Sequence, residues 1–288
     1  MQFHFVIRAL LAILLSAAFY SFASPVYAQS AEKAYLGFDA NEYPGDAVLP
    51  HLRRTFAFAG YWLNSPPGAG ANEPNGWTGK RSVLLENNFG FLVLFNGRLD
   101  RELAKSQNPA ALGAQDAQLA VDAANREQFP VGTVIFLDQE EGGRLLPEQM
   151  TYVLHWTDRI HASGFKSGVY CSGIPVKDGK YKTITTAEHI RSYAENQDIT
   201  FFVYNDACPP SPGCVYGKTA PAPSSSGTRF ATVWQFAQSP RRHEFTTRCA
   251  ATYDKSGNCY PPAVENLEQA KILLDLDTAS SPDPSNGR

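Results

Sequence analysis

VIFLDQEEGG, residues 134–143, runs four apolar side chains straight into three acids and then two glycines. Read with the two-residue alternation of a strand, Val134, Phe136, Asp138 and Glu140 share one face, and Ile135, Leu137 and Gln139 the other. The second face would pack under helices, while the first would fill a core and end in two carboxylates. Their Cα atoms would stand roughly 6.5–7 Å apart. Two carboxyls in one semi-enclosed place repel and lose hydration, so one should keep its proton at a raised pKa. An acid beside a carboxylate is the pair that glycosidic cleavage requires. Glu141 points the other way and is expected to open a solvated loop, with Gly142 and Gly143 turning the backbone. Any strand that surfaces can end in acids, so the neighbouring segments must decide.

Seven further runs of the same kind flank it, each bounded by turn residues: YLGFD (35–39), FAFAGYWL (56–63), FGFLVLFNG (89–97), KSGVYCSG (166–173), FFVYND (201–206), ATVWQF (231–236) and ILLDLD (272–277). Helical spacing recurs between several of them. Residues 113–129 carry Leu119, Ala120, Ala123 and Ala124 at that spacing. Residues 147–163 open on Pro147 and line up Met150, Val153, Leu154, Thr157 and Ile160. His155 and His161 on this segment read as surface or structural, and Trp156 as core packing. Residues 185–197 form a third amphipathic pattern with Thr caps and Glu188 following. Strands alternating with helices imply βα units and a mainly parallel sheet. The fold class is therefore α/β, a single (β/α)8 TIM-type barrel over residues 29–279. Residues 207–229 and 237–262 are irregular and take the place of late helices. The polar tail, 280–288, is expected to be disordered.

Residues 1–28 read as a leader rather than as part of the fold. Arg8 precedes the uncharged apolar run 9–23, and Val26-Tyr27-Ala28 offers the small residues of a cleavage site after Ala28. Its removal leaves about 260 of the 288 residues, enough for a barrel of about 250 residues. The expected location is secreted or periplasmic. The net charge of −3 gives no basic field for nucleic acid or anionic lipid, and Arg241-Arg242-His243 reads as solvated surface. Export permits disulfides, and the local pairs Cys208–Cys214 and Cys249–Cys259 are preferred. Cys171 is left over as an inert buried thiol. No CxxC or HxH spacing implies a metal, no cofactor is implied, and a monomer is expected.

In a parallel barrel the carboxyl ends of the strands form one open face. In chain order those ends carry Asp39, then Tyr61 and Trp62, Asn96 and Arg98, and Asp138 with Glu140. Tyr170 and Ser172 follow, then Tyr204, Asn205 and Asp206, Trp234 and Gln235, and last Asp275 and Asp277. Acids for chemistry and aromatic rings for stacking on sugars thus gather at one end. Trp77, in a Gly/Asn-rich loop, is balanced between stacking and packing.

The ordered set GFDANEYPG (37–45), FAGYWL (58–63), IFLDQEEGG (135–143), GFKSGVYCSG (164–173), TVWQFAQ (232–238) and LDLD (274–277) resembles the glycoside-hydrolase-like barrels related to family 25 lysozymes. The resemblance spans nearly the whole chain after the leader. It implies catalytic residues at Asp39, Asp138, Glu140 and Asp275, the last chosen over Asp277. Glu140 would be the general acid, with Asp138 stabilising the transition state or assisting a substrate N-acetyl group. Tyr61, Trp62, Asn96, Tyr170, Tyr204, Asp206, Trp234 and Gln235 would bind substrate. The implied partner is a polysaccharide such as peptidoglycan. A carbohydrate-binding barrel without turnover is the alternative. A peptidase or esterase lacks support, because the chain has no GxSxG, no HExxH and no readable cysteine–histidine arrangement.

Overall fold

The computed structural model of the protein describes residues 33–69, 74–194, 196–217, 219–262 and 272–288, so the expected leader lies outside the described residues. The strands are β1 (Tyr35–Asp39), β2 (Phe58–Trp62), β3 (Gly90–Asn96), β4 (Val134–Gln139), β5 (Lys166–Ser172), β6 (Val176–Lys177), β7 (Thr183–Ile184), β8 (Ile199–Tyr204), β9 (Val233–Ala237) and β10 (Asp275–Ala279). Eight of them close a barrel in the order β1-β10-β9-β8-β5-β4-β3-β2, and β6 with β7 makes a separate hairpin. All eight sequence-predicted runs are barrel strands.

The helices are α1 (Leu49–Leu52), α2 (Arg81–Glu86), α3 (Asp100–Leu103), α4 (Pro109–Arg126), α5 (Pro147–Ala162), α6 (Thr186–Tyr193) and α7 (His243–Thr246). Pro109 and Pro147 start α4 and α5, where a missing N–H costs nothing. Thr185 and Glu188 cap α6 reciprocally: Glu188 N donates to Thr185 Oγ1 at 3.1 Å and Thr185 N to Glu188 Oε2 at 2.9 Å. Met150, Val153, Thr157 and Ile160 of α5 are buried, as is Trp156. Among the described residues no helix is long and apolar enough to cross a membrane.

Two expectations about the late part of the chain are corrected. The last strand is antiparallel to both neighbours, β1 and β9. A parallel strand needs a return path to the far end of the barrel. Here Ser239, just past β9, donates from Oγ to Leu274 O at 2.6 Å, so β10 starts at the mouth where β9 ends. Asp275 therefore opens its strand and still stands at the mouth. The disulfides also differ: they join Cys208 to Cys249 and Cys214 to Cys259. They cross between the loops after β8 and β9 instead of closing each loop on itself. Cys208 N donating to Phe245 O and Cys214 N to Thr252 Oγ1 show the two loops packed together. Cys171 is free and buried, and burial pushes its thiol up and away from reactivity.

The tail is a third correction, since it is ordered at the closed end of the barrel. β3 and β4 pair only from Val93 and Ile135 onward, which leaves backbone groups unpaired below. Ser285 fills the gap: its N donates to Phe91 O at 2.9 Å, its O accepts from Val134 N at 2.8 Å, and its Oγ accepts from Val93 N at 2.8 Å. Asp283 Oδ1 accepts from Phe91 N at 2.8 Å. Polar composition here serves buried N–H groups rather than water.

Ser285→Ala strips a buried N–H of its acceptor and should lower unfolding free energy by about 1–3 kcal/mol in urea titrations. Removal of residues 283–288 should cost more; an unchanged midpoint in both would contradict the wedge. Non-reducing peptide mapping should recover the Cys208 peptide joined to that of Cys249, and the Cys214 peptide joined to that of Cys259.

Candidate active site

The inward faces of the strands build the mouth in two layers. The lower layer is aromatic: Phe136 and Phe202 meet edge to face at 6.0 Å, and Phe58 is fully buried. Gly168 allows this, because a Cβ there would fall 2.4 Å from the Phe136 ring. Above the floor lie Asp39 of β1, Asp138 of β4 and Asp275 of β10, with Glu140 just past β4. Gly60 of β2 makes room for Asp39, since a Cβ would come within 2.5 Å of the Asp39 Cβ. The four carboxyls border one pocket of about 80 Å³, together with Trp62, Tyr170 and Gln235. Asp39 and Asp138 are buried, Asp275 is half-buried with its carboxyl turned inward, and Glu140 is exposed.

A chain of amides and a phenol fixes this layer. Gln235 Nε2 donates to Asp39 Oδ2 at 2.8 Å and reaches Asp275 Oδ2 at 3.4 Å. Its Oε1 accepts from Tyr170 Oη and from Gln238 Nε2, both at 2.7 Å. Arg242 Nε donates to Gln238 Oε1, its guanidinium lies 4.4 Å from the centre of the Tyr204 ring, and Asp206 Oδ2 is 3.9 Å from Nε. Ser239 N donates to Asp275 Oδ1 at 2.6 Å, and Tyr204 Oη to the backbone O of Glu140 at 2.7 Å. Asp138 Oδ1 and Trp62 Nε1, on two residues of the pocket wall, are buried polar atoms without a hydrogen-bond partner among the described residues. A ligand there has one acceptor and one donor to satisfy.

Desolvation dominates the electrostatics. Burial pushes the Asp39 carboxyl up to about 6, against the pull of hydrogen bonds from Gln235 and Asp277, and the Glu140 charge adds to the rise. Burial, then the Glu140 and Asp39 charges, hold Asp138 well above the usual carboxylate range. Asp275 is raised by burial and by Asp39, with the Ser239 N–H opposing. Burial raises Glu140 too, while Arg242 offsets part of the rise and Glu141 adds to it. Solvent on the exposed flank of Glu140 bounds that shift. Among the described residues no cluster of His, Cys, Asp and Glu is arranged to hold a metal ion.

The remaining sequence-predicted residues divide by side-chain direction. Trp62, Tyr170 and Gln235 border the pocket. Asn96 borders a smaller recess beside Glu140 and Glu141, and its Nδ2 donates to Ser65 O. Tyr204 and Asp206 act on the mouth through Glu140 and Arg242, and Asp206 is fully buried. Tyr61 and Trp234 face outward, which corrects their expected place against substrate. Tyr61 packs among Phe91, Phe129 and Trp77 and donates to Glu127 Oε2 at 2.5 Å. Trp234 packs on Phe236 and donates from Nε1 to Asn205 O at 3.0 Å. Trp77 is a packing residue whose Nε1 donates to Ala40 O and Asn41 O. Arg98 is held by Asp116 at 2.6 Å.

Glu141 accepts from Asp100 N at 2.7 Å and from the side chains of Gln139 and Gln149, so it anchors its loop rather than standing in water. Sequence reasoning missed Gln238 and Ser239, and it read Arg242 as surface. The available signal was their nearness to Gln235 at the end of an inward-facing strand.

Residues 59–208, just over half of the chain, match the family described as Rv2525c-like, glycoside hydrolase-like domain. Among solved structures, the chain is similar to an uncharacterized protein of B. stearothermophilus at 17% identity and a TM-score of 0.51, over 85% of this chain and 95% of that one. It is also similar to the Tat-secreted protein Rv2525c of Mycobacterium tuberculosis at 14% identity and a TM-score of 0.49, over 88% and 98%. The modular autolysin LytC of Streptococcus pneumoniae aligns at 10% identity and a TM-score of 0.45, over 85% of this chain and 46% of that one. At such identities only the first likeness bears on the argument, and it bears on the fold alone. No curated protein matches the sequence.

The carboxyl layer sets a pH dependence of stability. An aspartate in the unfolded chain ionises near 3.9, whereas folded Asp39 ionises at about 6. Between those values the folded state binds the proton more tightly, so its stability falls as pH rises through the window. Asp39 alone takes away about 2 kcal/mol between pH 4 and pH 7. Asp138 and Asp275, raised in the same direction, act with the same sign. Chemical denaturation across pH 4–7 should show declining stability, with a shallower decline in Asp39→Asn. A rising profile would mean that the carboxyls are not desolvated.

Proposed function

The chain belongs to the Rv2525c-like family of glycoside hydrolase-like domains, and from that premise we propose that it is an exported hydrolase of glycosidic bonds in a cell-wall polymer such as peptidoglycan. The observation that carries this reading is the meeting of Asp39, Asp138, Glu140 and Asp275 in one pocket with unequal access to water. Glu140, exposed and raised by burial of its inner flank, is the group able to meet a leaving oxygen and give it a proton. Its protonated carboxyl transfers H⁺ to the leaving oxygen as the C–O bond breaks; a water then forms the new C–O bond at the anomeric carbon and gives its remaining proton back to Glu140. Asp138 lies one strand repeat below, where charge on the sugar ring develops. An acetamido group matches the unpartnered atoms of the wall, its C=O accepting from Trp62 Nε1 and its N–H donating to Asp138.

The mouth extends beyond the pocket in two directions, as a polymer requires. On one side Asp275 and Asn41 continue into a groove of about 630 Å³ along Tyr43 and Ser239. On the other, Asp138 and Glu140 border the recess at Asn96 and Glu141. Two disulfides fit an oxidising compartment, in keeping with a secreted or periplasmic protein.

The test is release of reducing ends from purified wall polymer by the protein without its leader. Glu140→Gln should reduce the rate by about 10²–10⁴-fold with an unchanged thermal melt, and Asp138→Asn should also impair it. Undiminished turnover in Glu140→Gln removes that residue from the acid role. Glycan binding by the wild type with no product at any pH would favour a carbohydrate-binding barrel.

A further inference from the structure

Asp277 stands two residues along β10 from Asp275, deeper in the barrel, opposite Gly37 of β1 and Gln235 of β9. It is fully buried and borders neither of the pockets that Asp275 borders. No N–H or hydroxyl among the described residues reaches either of its oxygens. Its diagonal neighbour across β1 is Asp39, two residues from its register partner Gly37 and buried like it, and each carboxyl acts on the ionisation of the other; a hydrogen bond between the two is the partner left to it. A carboxylate has no proton to donate, so two carboxyls make such a bond only when one of them stays protonated. Two carboxylates in this dry layer would instead repel each other.

The other partners decide which of the two holds the proton. Asp39 accepts from Gln235 Nε2 at 2.8 Å, and that donor favours its charged form. Asp277 has no such donor, and burial with the Asp39 and Asp275 charges holds it well above the usual carboxylate range. The groups facing it are Asp39 from β1, Gln235 from β9 and Asp275 on its own strand. No cation contributes to its shift.

We infer that Asp277 is a positioning residue, a neutral carboxylic acid whose O–H donates to Asp39 and, with Gln235, fixes the Asp39 carboxylate at the pocket. Asp277 touches no substrate; it acts through Asp39. It uses the acid form of its side chain, so a neutral donor of the same shape does the same work, and an apolar side chain of similar size does not. The value of this device for turnover rests on the hydrolase reading, whereas the hydrogen bond does not.

The experiment uses carbon-13 NMR of side-chain carboxyls in the aspartate-labelled protein between pH 4 and pH 9. Wild type is compared with Asp277→Asn and Asp277→Leu, and Asp39→Asn assigns the Asp39 signal. The Asp277 carboxyl should still hold its proton at a pH where a free aspartate is fully ionised, and its signal should vanish in Asp277→Asn. The Asp39 midpoint should stay near 6 in Asp277→Asn and rise by about one pH unit or more in Asp277→Leu. Should Asp277→Leu fail to fold, Asp277→Asn answers alone, by its effect on the signal and by a melting temperature at pH 8 no lower than wild type.

An Asp277 signal titrating below pH 5, or an Asp39 midpoint that moves upward in Asp277→Asn, would overturn the inference. Where glycan cleavage is measurable, Asp277→Leu should shift the acidic limb of its pH profile and Asp277→Asn should not. Absence of cleavage in the wild type counts against the hydrolase reading and leaves the titration result standing.

Discussion

Four carboxyl groups stand over a floor of phenylalanine rings and a fifth, Asp277, lies one layer lower, and so apolar a setting will not hold five charges. Phe58, Phe136 and Phe202 exclude water from below, so each ionisation at Asp39, Asp138, Asp275 or Asp277 lacks solvent on one side. Few strong donors enter the layer from within. Gln235 bridges Asp39 and Asp275, and Ser239 N holds the far oxygen of Asp275. The cation, Arg242, stays at the rim on the Tyr204 ring and acts on Glu140 at a distance. The layer is thus neutralised by held protons more than by counter-ions. A buried ion pair would have fixed the charges; held protons leave them able to move.

That arrangement depends on strand direction. A parallel β10 would present its first residue at the closed end, away from the mouth. Reversing it brings Asp275 to the mouth beside Asp39, its register partner, and sets Asp277 one layer lower. The same alternation that gives β4 its Phe136-then-Asp138 order gives β10 its Asp277-then-Asp275 order, read in the opposite sense. Two strands running opposite ways can therefore deliver carboxyls to one level, provided that glycine stands where side chains would collide, as at Gly60.

Much of this was legible because alternation is a local property. Phe136 below Asp138, with Glu140 beyond, follows from residues 134–140 alone, and all eight strands carry their own apolar runs. Tyr61 and Trp234 misled for the same reason that they looked attractive. Rings near strand ends suit sugars, but each lies one residue out of phase with Trp62 or Gln235, and parity sends it outward. The parity of β2 and β9 is as readable from their residues as that of β4. The antiparallel β10, the crossed disulfides and the ordered tail were of another kind. Each is set by partners tens or hundreds of residues away: Ser239 with Leu274, Cys208 with Cys249, Ser285 with Phe91. Spacing along one segment carries no record of such pairings.

The crossed disulfides bear directly on the site. Gln238, Ser239 and Arg242 follow β9, with only the short α-helix α7 after them among the described residues, and Arg242 and Ser239 N act on Glu140 and Asp275. Closing the 41-residue separation between Cys208 and Cys249 removes about 4 kcal/mol of chain entropy from the unfolded state in the loop-closure account. The second bond, Cys214–Cys259, overlaps that loop and so constrains an already closed segment, adding less. One bond within each loop would have stiffened the loops separately and left their relative position free. Bonds between loops fix the one against the other, and Cys259 N donating to Ser239 Oγ at 2.8 Å carries the constraint to the residue that holds Asp275. In this barrel the covalent links tie the two loops together at the place where the carboxyl layer needs a rigid wall.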